Sequence, residues 1–138
     1  MDCLFCKMKE GEIPCQRVYE DDDFFAILDI NPINYGHTLL IPKKHFNNIL
    51  DAPEDVGEKT YPVAQKIAKG IKQALKCDGI NIIQNVEEAG GQEVFHSHLH
   101  IVPRFKDDNI RFSMKKKKYA SDDDMCKFAK KIADVLNR

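Results

Sequence analysis

Gly90-Gly91-Gln92-Glu93-Val94-Phe95-His96-Ser97-His98-Leu99-His100-Ile101-Val102-Pro103 is the stretch on which the reading of this chain turns. Val94 to Phe105 reads as a strand, and three histidines alternate within it with Ser97 and Leu99. Side chains two apart on a strand share a face and stand about 6.5–7 Å from each other. His96, His98 and His100 are therefore expected to line one side, with Leu99 and Ile101 turned to a core on the other. A single strand histidine is usually a surface or hydrogen-bonded core residue. Three of the chain's five histidines within five residues are different, because burying three imidazoles for packing alone is costly without partners. A competing reading makes the run a metal site, since His-x-His pairs ligate zinc and iron. Three same-face ligands would span about 13 Å of extended strand, too far for one ion.

Working outward, Glu87–Gly91 is a glycine-bearing loop and Ile80–Val86 a strand before it, with Gly79 expected to stop the preceding helix. That helix is legible from Val63, Ile67, Ile71 and Leu75 recurring every four residues beside Ala64, Ala68 and Ala74. Pro62 is expected near its start or at a kink, because proline cannot donate inside a helix. The first half reads mainly as strands: Arg17–Glu20 and Phe24–Asp29 joined by an Asp21-Asp22-Asp23 turn, a loop over 31–36, then His37–Pro42. Near the C-terminus Ser121 is a candidate N-cap before Asp122, Asp123 and Asp124, and Met125, Phe128, Ile132 and Leu136 give one apolar helical face. The expected class is α+β, a mostly antiparallel sheet with a central and a C-terminal helix. No repeat or composition shift marks a boundary, so residues 1–138 are read as one domain.

Twenty-one Lys and Arg against 22 Asp and Glu leave a net charge of −1. That balance argues against a broad surface for nucleic acid or anionic membrane, and Lys115–Lys118 reads as a solvated loop. No apolar run approaches the ~18 residues of a membrane span. The opening residues carry neither the basic start nor the apolar run of a secretory signal. Five cysteines, an odd number, do not suit a disulfide framework, and a reducing, cytoplasmic location is expected.

His96 through Val102 matches His-φ-His-φ-His-φ-φ, with φ apolar, apart from Ser97. Together with Leu4-Phe5-Cys6-Lys7, Leu28-Asp29-Ile30-Asn31-Pro32, Gly36-His37-Thr38-Leu39-Leu40-Ile41-Pro42-Lys43-Lys44-His45, Asn85 and Gly90-Gly91-Gln92, it resembles the histidine triad family, in its nucleotide-binding Hint-like branch. The likeness covers nearly the whole chain. It implies a nucleotidyl hydrolase or transferase: His98 attacks the α-phosphorus of a nucleotide, and water or another acceptor resolves the nucleotidyl-histidine. An imidazole near its ordinary pKa of about 6.5 is a competent nucleophile if an acceptor holds its other nitrogen. His100, Asn85 and backbone N–H groups after Gly91, Val94 among them, would donate to the phosphate, with Gln92 on the phosphate or leaving group. Asp29 would accept from the ribose hydroxyls, and Leu4, Phe5, Ile27 and Ile30 would form an apolar slot for the base, unless they are plain core. His37 matches a buried family histidine near the nucleophile. Glu93 replaces a small hydroxyl residue and is expected to turn away from the phosphate or meet the leaving group.

Cys3-x-x-Cys6 has common zinc spacing but lacks a second pair, and a redox pair or chance are the alternatives. The resemblance implies that His45 and His96 complete a closed, structural Cys2His2 zinc site, with no metal needed for the chemistry. It further implies a homodimer and a purine nucleoside phosphoramidate or polyphosphate as substrate, AMP being the expected nucleotide. A dinucleoside polyphosphate hydrolase, or a nucleotide-binding regulatory protein with weak activity, is the alternative.

Overall fold

Every residue from Phe24 to Ile27 is buried, so strand β2 (Phe24–Leu28) needs cover on both faces. Phe24 and Ala26 turn to one face and, with Leu40 and Ile101, pack on Val56, Ala64 and Ile67 of a long helix, α2 (Glu54–Leu75). Phe25 and Ile27 turn to the other face and, with Leu39 and Ile41, pack on Cys3, Phe5 and Met8 at the short helix α1 (Leu4–Lys9). Each such side chain taken from water contributes roughly 1.5–3 kcal/mol. The computed structural model describes residues 2–138. Strands β1 (Arg17–Glu20), β3 (Thr38–Pro42), β4 (Gly79–Ile83) and β5 (Leu99–Arg104) complete a sheet of order β1-β2-β3-β5-β4, antiparallel at every pairing. The class is α+β, as expected. Asp21 makes the first hairpin by accepting from the N–H groups of Asp23 and Phe24 (2.8 and 2.7 Å).

Several boundaries differ from the sequence reading. Helix α1, too short to show a period, stands where no element was expected. Helix α2 begins two turns before Pro62, capped by Pro53, and runs through Pro62. Burial of Val56 on one side and Ala64 and Ile67 on the other outweighs the ~3 kcal/mol that an interior proline costs. Glu58 and Pro62 are both exposed, so water can reach the carbonyl that the proline leaves unpaired. The helix stops at Lys76, left-handed at φ 54°, whose N–H donates to the Lys72 carbonyl; Gly79 instead opens β4. Helix α3 (Asp122–Leu136) starts as expected, with Ser121 Oγ accepting from Asp124 N–H. No residue of it is buried, so its apolar face is unused within the chain.

Candidate active site

Strand β5 begins at Leu99, later than expected, and this reshapes the histidine run. Leu40 pairs with Leu99 and Leu39 with His100. Two residues on, Pro42 has no N–H with which to extend a ladder, and Ser97 N–H turns away to the Phe46 carbonyl (2.8 Å). Residues 94–96 therefore bend and 97–98 are irregular, and the three imidazoles do not form one row. His96 goes to one cluster; His98 and His100 belong to another, with ring centroids 5.0 Å apart. Phe5 stands edge-on to both His96 and His98 (5.8 and 5.0 Å) and joins the two clusters.

The first cluster is Cys3, Cys6, His45 and His96, with ligand atoms mutually within 4.8 Å. His96 is fully buried, and its Nε2–H donates to the Pro42 carbonyl (2.7 Å), which leaves Nδ1 as a lone pair. That nitrogen lies 3.1 Å from His45 Nδ1, 3.4 Å from Cys3 Sγ and 3.6 Å from Cys6 Sγ, and Cys6 Sγ lies 3.5 Å from His45 Nδ1. A tetrahedron with zinc bonds of normal length has edges of about 3.3–3.8 Å. Burial and Cys3 push the Cys6 thiol up, so the pair calls for a cation if both sulfurs are to ionise. The residues fit zinc. Cys3 caps α1, so the motif does open a helix, but both cysteines are free and two imidazoles share the site.

In the second cluster the hydrogen bonds fix each ring's proton. Ile33 N–H can only donate, so His37 Nδ1 accepts it (3.0 Å) and the proton of neutral His37 sits on Nε2. His37 Nε2–H donates to His100 Nδ1 (3.0 Å), leaving His100 with an Nε2–H donor. His98 has the opposite tautomer: Nδ1–H donates to the His96 carbonyl (2.7 Å) and Nε2 keeps its lone pair. This carbonyl is the acceptor that the nucleophile was expected to need. Burial lowers all three rings from the ordinary imidazole value, His100 to about 4 with help from His98 and His37, so they stay neutral near pH 7. For His98 and His37 the Asp29 carboxylate partly offsets the burial. Asp29 Oδ2 lies 3.7 Å from His37 Nε2. Asp29, His37 and His100 could geometrically hold a metal, but the proton on His37 Nε2 makes the group a hydrogen-bond chain.

Other expected residues fall less uniformly. Gln92 is only 4% exposed, and its amide is fully used within the protein: Oε1 accepts from Asn48 Nδ2 and Glu87 N–H, while Nε2 donates to the Asn47 and Val94 carbonyls. It clamps the 87–94 loop through these four hydrogen bonds. Asn47 and Asn48, its partners, were not anticipated, since isolated asparagines in a loop carry no spacing signal. Asn85 Nδ2 donates to the Gly91 carbonyl (3.3 Å), and Gly91 takes φ 93°. The four-residue base slot is not formed: Phe5 and Ile27 are core, Leu4 is exposed and Ile30 is 85% exposed. Val94 packs on the same core cluster, and Glu93 is exposed. Gly36, at φ 94° and packed on Leu75, delivers His37 into the cluster.

Comparisons with known proteins agree with this architecture. The HIT domain family matches residues 10–107. An adenylylsulfatase, HINT3 of Arabidopsis thaliana, is 39% identical over 127 residues, 87% of this chain and 64% of that protein. The crystal structure of a Zn-bound histidine triad family protein from Mycobacterium smegmatis superposes with a TM-score of 0.77 at 37% identity, covering 98% of each chain. That of a histidine triad nucleotide-binding protein from Candida albicans gives 0.85 at 29% identity, covering 99% of this chain and 98% of that one. No helix among the described residues is long and apolar enough to cross a membrane.

Proposed function

The chain belongs to the histidine triad (HIT) family, and from that premise we propose that it cleaves nucleoside monophosphate, AMP first, from phosphoramidate or phosphoanhydride substrates. One observation carries the reading: a neutral His98 held by its Nδ1–H, with the Nε2 lone pair left over, beside a His100 of opposite tautomer. His98 Nε2 forms a bond to the α-phosphorus while the bond from phosphorus to the leaving group breaks. Water then attacks the nucleotidyl-histidine, releasing the monophosphate and restoring the imidazole. His100 Nε2–H donates to a non-bridging oxygen as charge builds there, an effect typically worth about 2.7–4 kcal/mol per donor. Asn85 and backbone N–H groups of the 91–94 loop contribute further donors, Asp29 accepts from the ribose, and exposed Leu4 and Ile30 flank the base.

Cys3, Cys6, His45 and His96 would hold a structural zinc ion, whose contribution is a cross-link between α1 and the approach to β5. A Zn-bound relative supports this assignment. Dimerisation through α2 and the free sheet edge at β4 completes the proposal.

The test is a substrate panel: an adenosine phosphoramidate, diadenosine polyphosphate and adenylylsulfate, the last prompted by the adenylylsulfatase relative. AMP release from the phosphoramidate is expected to be fastest, and His98→Ala to lower it by at least about 10³-fold. Binding of AMP without release from any of the three substrates would favour a regulatory nucleotide-binding protein instead.

A further inference from the structure

Cys3, Cys6, Cys15, Cys77 and Cys126 are all free thiols, and the first two are set apart by where they stand on α1. Cys3 is the N-cap and Cys6 the third residue of the first turn, and Cys6 N–H donates to Cys3 Sγ (3.4 Å). These two positions face each other at a helix start, which is why they pair reciprocally in capping boxes. A disulfide asks for Cα atoms about 4.4–6.8 Å apart, a separation that residues three apart on a helix supply. The two sulfurs already lie within 4.8 Å of each other. Cys15 packs on the same core cluster but stands outside this group of ligand atoms.

The pair is connected to the proposed nucleophile at two points. Both sulfurs approach His96 Nδ1 (3.4 and 3.6 Å), and the His96 carbonyl accepts the Nδ1–H of His98 (2.7 Å). Phe5, between the two cysteines in sequence, stands edge-on to the His98 ring with centroids 5.0 Å apart. A change in the bonding of Cys3 and Cys6 therefore reaches the ring whose Nε2 the proposed chemistry uses. Bound zinc would hold both sulfurs as thiolates, the form that attacks a disulfide. Cys3 is buried and Cys6 only half-buried, so a small oxidant meets Cys6 first.

We infer that Cys3 and Cys6 form a reversible oxidation site for low-molecular-weight disulfides of the glutathione class, and that their oxidation unloads the Cys2His2 site and slackens His98. The Cys6 sulfur attacks one sulfur of the small disulfide, forming a mixed disulfide and releasing one small thiolate. The Cys3 sulfur then attacks the Cys6 sulfur, and the second small thiolate leaves. Two electrons pass from the cysteines to the small disulfide, and exchange with a dithiol reverses both steps. The new bond takes away two of the four candidate donors, and His45 and His96 alone do not close a tetrahedral site. Helix α1 is then no longer tied to the segment before β5, and the His96 peptide that holds His98 loses its support. The inference rests on the zinc assignment and on the His98 reading above, and adds a control: hydrolysis runs under reducing conditions and slows as they are lost.

Titration of zinc-loaded, full-length protein with oxidised glutathione tests it, following zinc release with a chromogenic chelator, peptide masses without reductant, and AMP release from the adenosine phosphoramidate. Trypsin, cutting after Lys7, Lys9 and Arg17, leaves Cys3 and Cys6 on the peptide 1–7 and Cys15 on 10–17. The expected result is a loss of two hydrogens within 1–7 and an equimolar release of zinc. AMP release should fall by at least about tenfold, as when the support of a ligand is removed. Dithiothreitol with added zinc should reverse all of these, and Cys15→Ser should respond like the wild type. A peptide 1–7 that stays reduced, or that becomes linked to 10–17, overturns the site. Oxidation with zinc retained overturns the unloading, and zinc release at an unchanged rate overturns the link to His98. Protein that binds no zinc sinks the inference together with the zinc assignment. Failure of the functional reading is seen separately, as reduced, zinc-loaded protein that hydrolyses none of the three substrates. In that case the imidazole NMR signals of His98 before and after oxidation decide, and signals that do not move overturn the inference.

Discussion

His98 and His100 are two residues apart, yet they present opposite hydrogen-bond character, one lone pair and one N–H. Neither tautomer is free to choose, since a backbone carbonyl fixes the first and the Ile33–His37 chain fixes the second. Keeping His100 neutral has a cost in acid. Its folded pKa of about 4 lies below the ordinary 6.5, so below pH 6.5 the unfolded chain takes a proton that the folded one refuses until about pH 4. Stability from this group is intact above pH 6.5 and falls across that window. Thermal midpoints measured from pH 7 to 4 should fall less steeply for His100→Asn than for the wild type; parallel slopes would remove His100 from the argument. Glu93 is the other residue whose chemistry can be read directly. Where its exposed carboxylate faces the leaving group it would repel an anionic one, so on the proposed reading Glu93→Ser should raise the rate with adenylylsulfate or diadenosine polyphosphate relative to the phosphoramidate by about tenfold. A ratio unchanged by the substitution would show that Glu93 faces away.

At the scale of elements, the strands and the α2 periodicity were legible because each rests on side-chain pattern, and Arg17–Glu20 was read to the residue. What pattern could not show was where hydrogen-bonding partners run out. The histidine run looks like strand throughout, and only its partner Pro42 and the competing Phe46 carbonyl end the ladder at Leu99. The candidate metal ligands were legible as residue types and not as geometry, for Cys6 lies in a six-residue helix, with Cys3 at its cap, that no periodicity reveals. The clamping role of Gln92 was not legible, because its four hydrogen bonds involve loop residues more than forty positions away as well as near ones. The zinc assignment belongs to this scale, as it ties α1 to the segment that precedes β5. Cys3→Ser should reduce bound zinc, measured by atomic absorption on purified protein, and lower the thermal midpoint by several degrees. Full zinc content with an unchanged midpoint would refute the site.

For the whole molecule, the sheet brings residues from distant parts of the chain to one place: Phe5 from α1, Asp29 and His37 from the loop between β2 and β3, and His98 and His100 from the start of β5. The α2 layer supports that sheet from its other face, so the histidine rings rest on a core that cannot easily shift. The net effect is one imidazole with a free nitrogen, oriented by the peptide carbonyl of His96. The account stands or falls on that nitrogen becoming adenylylated during turnover. Mass spectrometry of protein mixed with adenosine phosphoramidate, denatured within milliseconds to seconds and digested under neutral conditions, measures it directly. The account predicts an added mass of one AMP on the peptide that contains His98, absent from His98→Ala. Steady release of AMP with no adduct on that peptide, or an adduct on another residue, would contradict it.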